Sequence, residues 1–152
     1  MLISFKGITA NATTSGTVGS CKWQLVGTEL VISGNGSMGD CSDWPWGNNI
    51  TSVTINEGVT TIGIGAFSEC HSLIKVTLPN SLKTIERYAF CDCSSLPKVT
   101  IPDSVVAIGN YAFSGCYSLT SIEIPSGVTS IGSSAFTSCY SLSEIDIPSG
   151  VT

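Results

Sequence analysis

Equivalent positions recur every 23 residues across residues 53–144, and no other property of the chain constrains its fold as much. The four copies read VTINEGVTTIGIGAFSECHSLIK from Val53, VTLPNSLKTIERYAFCDCSSLPK from Val76, VTIPDSVVAIGNYAFSGCYSLTS from Val99 and IEIPSGVTSIGSSAFTSCYSLSE from Ile122. A fifth copy begins at Ile145 and runs for eight residues. A unit of this length cannot bury its own apolar face, so copies must stack on one another as a solenoid.

The positions that stay constant say how each coil is built. An aliphatic pair two residues apart (Val53 and Ile55, Val76 and Leu78, Val99 and Ile101, Ile122 and Ile124) is the period-2 mark of a short strand with one inward face. A second pair follows at a spacing of three (Val59 and Ile62, Leu82 and Ile85, Val105 and Ile108, Val128 and Ile131). Ala-Phe comes next, then a Cys three residues after the Phe and a Leu three after the Cys, as in Ala66, Phe67, Cys70 and Leu73. That spacing suits a 3₁₀ or helical turn with an apolar inner side. Each coil thus turns about eight or nine side chains inward, and coils about 4.8 Å apart would cover one another and pair their strands in parallel.

These residues carry a family resemblance. Pro after the first strand, Val-Thr-x-Ile-Gly, Ala-Phe-x-x-Cys and Leu-x-x-Ile, as in residues 124–145, resemble the treponemal-type or BspA-like branch of the leucine-rich repeats. The likeness is strong over residues 53–152 and weaker over 19–52. Asn56 for Pro, Glu86 for Gly, and Leu82-Lys83 for Val-Thr depart from the pattern without removing an inward residue. The resemblance implies a leucine-rich repeat solenoid: a parallel β-sheet of short strands, 3₁₀ or helical turns, a right-handed coil and an N-terminal β-hairpin cap. It also implies a cell-surface protein that adheres to host or neighbouring cells.

The chain divides into a tail (1–15), a cap (16–52) and the repeats (53–152). Residues 1–12 are either the remnant of a secretion signal, with Ala10-Asn11-Ala12 as its small-x-small site, or an incidental disordered tail. In the cap, Trp23 and Leu25 alternate, Gly27-Thr28 turns the chain, and Leu30 and Ile32 alternate back. Trp44 and Trp46 are expected to lie over the first repeat, with a carbohydrate-stacking platform as the alternative. Asp40 and Asp43 do not fit the spacing of a calcium loop. Nowhere does an apolar run reach the length of a membrane span. Charged residues are 11% of the chain, the net charge is −5 and no basic cluster occurs, which argues against nucleic acid as a partner.

Seven cysteines raise the question of metal or redox chemistry. Cys70, Cys93, Cys116 and Cys139 occupy one inward position of successive coils, where a thiol serves as a small apolar filler with a weak donor. One thiol per coil cannot converge on a zinc ion. Cys91 lies outside that ladder and is the candidate exposed thiol, while Cys21 and Cys41 could pair in a secreted protein. His71 is the sole histidine, and no nucleophile, metal or nucleotide motif accompanies it. The reading is therefore non-enzymatic, with no cofactor.

Two surfaces are candidates for a partner. The outward residues of the first strands form a row of Ser52 and Thr54, Lys75 and Thr77, Lys98 and Thr100, Ser121 and Glu123, Glu144 and Asp146, graded from basic to acidic. An alternative aromatic patch combines Tyr88 with Tyr111 and Tyr117 with Tyr140. The chain stops in mid-coil at Val151-Thr152, so a fragment of a longer repeat protein is expected, with end-to-end self-association through an uncapped coil. The functional expectation is a binding or adhesion module, secreted or on a cell surface, that takes a protein or glycan ligand. Its alternative is a spacer that holds another domain away from a surface.

Overall fold

The computed structural model describes residues 13–40 and 43–152. Alternating Cys21, Trp23, Leu30 and Ile32 against polar neighbours produces an antiparallel cap of β1 (Thr13–Val18), β2 (Cys21–Val26) and β3 (Glu29–Gly34). Gly27, at φ 62°, turns β2 into β3. β3 then pairs in parallel with β5 (Ser52–Ile55), Leu30 beside Val53 and Ile32 beside Ile55, while β4 (Gly36–Ser37) pairs with β6 (Val59–Ile62). Leu30 and Val53 are one repeat length apart, so the last strand of the cap is already the first strand of a coil. The hairpin expected from the sequence is present, and it grades into the solenoid without a joint.

Each later coil repeats the pair: β7 (Lys75–Thr77) with β8 (Thr84–Ile85), β9 (Lys98–Thr100) with β10 (Ala107–Ile108), and β11 (Ser121–Glu123) with β12 (Ser130–Ile131). The even-numbered strands from β4 onward form a second, unbroken parallel sheet in the order β12-β10-β8-β6-β4. Sequence reasoning did not anticipate this sheet. Its later strands are two residues long and present one inward side chain each, so no alternation marks them.

The turn after Ala-Phe differs from its expected form. Ala66, Ser68, Cys70 and Leu73 donate N–H bonds to the carbonyls three residues back, at 3.0 to 3.3 Å, as a 3₁₀ turn would. No helix forms among the described residues. Two left-handed residues per coil interrupt it: Gly65, Tyr88, Tyr111 and Ser134 at one position, with φ 56–64°, and Glu69, Asp92, Gly115 and Ser138 at another, with φ 58–73°. These reversals aim N–H groups along the stack. Gly65, Phe67 and Glu69 donate to the carbonyls of Arg87, Ala89 and Cys91 of the next coil, at 2.8–2.9 Å. This third side of each coil is thus tied to its neighbour as the second sheet is.

Through the centre runs a column of rings. Trp23, Trp46, Phe67, Phe90, Phe113 and Phe136 follow one another with centroids 6.2, 5.7, 5.1, 5.3 and 5.6 Å apart. Trp46 is buried with its Nε1 donating to the Ala66 carbonyl, so it closes the phenylalanine column from the N-terminal side. Trp44 stacks on Trp46 at 5.0 Å and donates to the Ile64 carbonyl. Both tryptophans lie over the first repeat, as expected. Each stacked pair adds about 0.5–1.5 kcal/mol to the burial of its rings.

The first-strand sheet is interrupted once, between β7 and β9, and the residues explain where. Ile74 N–H donates to Thr51 O at 2.9 Å, and Thr120 N–H to Pro97 O at 3.1 Å. The bond between these two would require an N–H at residue 97, and proline has none. Lys75 and Lys98 would also stand directly opposite each other if the ladder closed, and like charges there are destabilising. On one side of the gap Val76 and Leu78 are half-buried, whereas Val99 and Ile101 on the other side are buried, as are Val53 and Ile55. Residues 145–147, in the coil expected to be uncapped, form no strand, and Ile147 is 49% exposed.

Candidate functional site

The sheet face is placed by the strand register. Glu29 lies beside Ser52 and Ser52 beside Lys75; Lys98 lies beside Ser121. A parallel row runs Val31, Thr54, Thr77, then Thr100 and Glu123. The row therefore begins with an acid, Glu29, that the sequence reading left out, and its charge runs acidic, basic, acidic. Lys75, Thr77, Lys98, Thr100, Ser121, Glu123, Glu144 and Asp146 are all exposed. The two lysines flank the interrupted ladder, beside a depression of about 350 Å³ lined by Val76, Thr77, Leu78, Asn80, Thr100 and Pro102. Glu123, Glu144 and Asp146 gather at a separate depression of about 470 Å³ between the fourth and fifth coils. Between them, Lys98 and Glu123 line a smaller depression of about 100 Å³ across β9 and β11, so the carboxylates gather at the C-terminal end of the face and Lys98 stands next to them.

The tyrosines form two stacks at the spacing of the coils. Tyr88 and Tyr111 lie 5.1 Å apart, with the Arg87 guanidinium 5.2 Å from the Tyr88 ring. Tyr117 and Tyr140 lie 5.5 Å apart, and Tyr140 is 80% exposed. His71 shares the column of Tyr117 and Tyr140, is exposed, and makes a 2.9 Å bond through Nδ1 to the Asp92 carbonyl. The partner in that bond is a backbone carbonyl and not a side chain.

The cysteines are built into the frame. Sγ of Cys93, Cys116 and Cys139 donates to the carbonyl of Phe67, Phe90 and Phe113 of the preceding coil, at 3.1–3.2 Å. Burial pushes these thiols up, and that of Cys70 to about 12. Cys91, expected to be exposed, is half-buried; burial and the neighbouring Asp92 push it up to about 11. A thiol so placed is a poor nucleophile near neutral pH. The proposed pairing of Cys21 with Cys41 lies outside the described residues, since Cys41 is not among them. No group of three or more His, Cys, Asp or Glu side chains among the described residues is placed to hold a metal ion. Among them, too, no helix is long and apolar enough to cross a membrane.

Comparison with known proteins agrees with this geometry. Residues 46–152 match the BspA type leucine rich repeat region in six copies. No curated protein is similar enough in sequence to match. Among solved structures, the leucine-rich repeat protein of T. pallidum superposes with a TM-score of 0.74 at 25% identity, covering 92% of this chain and 71% of its own. A leucine-rich cell surface protein of Faecalibacterium prausnitzii gives 0.68 at 25% identity, over 87% of this chain and 39% of its own. The pneumococcal vaccine antigen PcpA gives 0.58 at 26% identity, over 76% of this chain and 35% of its own. The chain spans less than half the length of the last two. Such solenoids are generally non-enzymatic and generally mediate protein interactions, and relatives on cell surfaces fit that character. With residues 46–152, most of its length, matched by that repeat region, the chain belongs to the BspA-type leucine-rich repeat family.

Proposed function

We propose that this chain is an adhesion module, part of a secreted or cell-surface protein, that holds a protein of the host matrix or of a neighbouring cell against its first-strand sheet. One observation carries the reading. Lys75 and Lys98 are exposed at equivalent positions of successive coils, on the strands that border the depression where Val76 and Leu78 come partly to the surface. Two lysines over half-buried aliphatic residues suit an acidic segment with an apolar side chain between its carboxylates. The acidic residues Glu123, Glu144 and Asp146 farther along the face would fix the direction in which the partner lies. Most of the remaining sheet face is Ser and Thr, which supplies hydrogen bonds without charge.

The experiment is capture of purified fibronectin, laminin and fibrinogen on the immobilised chain across a range of salt, with wild type beside K75E/K98E. Saturable, salt-sensitive capture that the double variant loses by roughly tenfold or more supports the reading. Equal capture by both proteins, or none by a demonstrably folded wild type, would sink it and leave the role of a spacer.

A further inference from the structure

The column that carries Tyr88 and Tyr111 has a gap at its N-terminal end. Gly65 holds the same position in the first coil, with the same left-handed backbone at φ 64°, and has no side chain to continue the stack. A Cβ at Gly65 would stand 4.0 Å from Trp44 Nε1 and from Ser68 Cβ, so these two side chains border the position. A depression of about 410 Å³ opens there, lined by Asp43, Trp44, Asn48, Gly65, Ser68 and Glu69, with parts of Gly47 and Ala66. Trp44 is pinned at its wall: its Nε1 donates to the Ile64 carbonyl at 3.0 Å and one face stacks on Trp46. The ring nonetheless stays half-exposed, unlike Trp46. On the next coil's side, Gly65 N–H donates to the Arg87 carbonyl at 2.9 Å, which fixes the floor.

We propose that this depression is a binding site for a neutral hexopyranose, such as a terminal sugar of a surface glycan. A sugar presents a C–H face that packs on an indole and a rim of hydroxyls that need acceptors and donors. Trp44 supplies the first. Glu69, Asn48 and Ser68 supply the second, with a carboxylate, an amide and a hydroxyl around one opening, and Asp43 adds a second negative charge at its rim. The two carboxylates disfavour sugar acids and phosphates. A quaternary ammonium would want several open ring faces around it, and here one face of a single indole is already taken. The assignment extends the reading of the chain as a binding module but uses a different face, so K75E/K98E leaves it intact.

The test is saturation-transfer NMR on the whole chain with the methyl glycosides of glucose, galactose, mannose and N-acetylglucosamine at millimolar concentration, beside glucuronate and tetramethylammonium. Gly65→Tyr continues the tyrosine stack into the gap at a backbone conformation that Tyr88 and Tyr111 already adopt. Asn48→Ala, at an exposed residue, is a second variant that does not touch the backbone. The expected result is transfer to at least one neutral glycoside, weakened roughly tenfold by each variant. Transfer to none of them, transfer unchanged in both variants, or transfer to tetramethylammonium or glucuronate alone overturns the assignment.

Discussion

Cys93 shows what a buried thiol does in this fold. Its Sγ fills a fully buried position and donates to the Phe67 carbonyl, so it packs and bonds at once. Cys93→Ala should lower stability by about 1–2 kcal/mol, from the small cavity together with the lost S–H bond to a carbonyl that keeps the Cys70 N–H. Urea unfolding of the two proteins checks it, and equal midpoints would count against the ladder. The same residues set a response to alkali. Their folded-state pKa lies above the unfolded value of 9.0, with Cys70 at about 12. The protonated thiol is therefore favoured by folding, and its contribution is complete below pH 9 and is lost as pH rises from 9 towards 12. The urea midpoint should fall across that window, and Cys93→Ala should make the fall shallower. The ladder was legible in the sequence because Cys recurs at a fixed offset from Phe. The left-handed positions were not: Gly65 and Gly115 hint at them, but Tyr88, Tyr111, Glu69, Asp92, Ser134 and Ser138 do not. There the inter-coil bonds override local preference, and nothing in a tyrosine predicts it. The Gly65 depression was illegible for the same reason, since it exists only as a missing member of that column.

At the scale of one strand, Pro97 decides where the first sheet opens. Thr120 holds the equivalent position one coil on and donates both its N–H and its hydroxyl to the Pro97 carbonyl. Pro97→Thr should supply the absent donor to Ile74 O and draw β9 onto β7, raising hydrogen-exchange protection at residues 97–100. Stability should rise by about 0.5–1.5 kcal/mol, the net worth of one such bond. Closing the ladder brings Lys75 and Lys98 opposite each other, so the gain should be larger at high salt. Unchanged protection in the variant would mean that charge repulsion, and not the proline, keeps the strands apart. Pro97 and the two lysines were all visible in the sequence, yet their joint effect was not, because it depends on a register that only stacking defines. The second sheet was hidden for a related reason. Its ladder is made by the backbone of residues such as Thr84 and Ala107, whose side chains follow no period-2 rule.

Over the whole molecule the chain is a one-dimensional stack, each coil bonded to the next and none to a distant one. The N-terminal end is closed by Trp23 and Trp46, and the rings of the first three coils, Phe67, Phe90 and Phe113, are fully buried. In the fourth coil Phe136 and Leu142 are half-buried and its first strand has no strand partner beyond it. Coupling between coils then has to fall towards that end. Phe113 sits between the two regimes, stacked on Phe90 at 5.3 Å and on Phe136 at 5.6 Å. Phe113→Ala should cost about 3–5 kcal/mol, and in a nearest-neighbour array the loss should be local. Amides of residues 122–142 should lose exchange protection first, while those of residues 53–73 keep most of theirs. Loss by the same factor in both segments would show instead that the ring column makes the solenoid a single cooperative unit. In that case the sheet face and the Gly65 depression would share one stability, and a partner bound at either would tighten the whole stack.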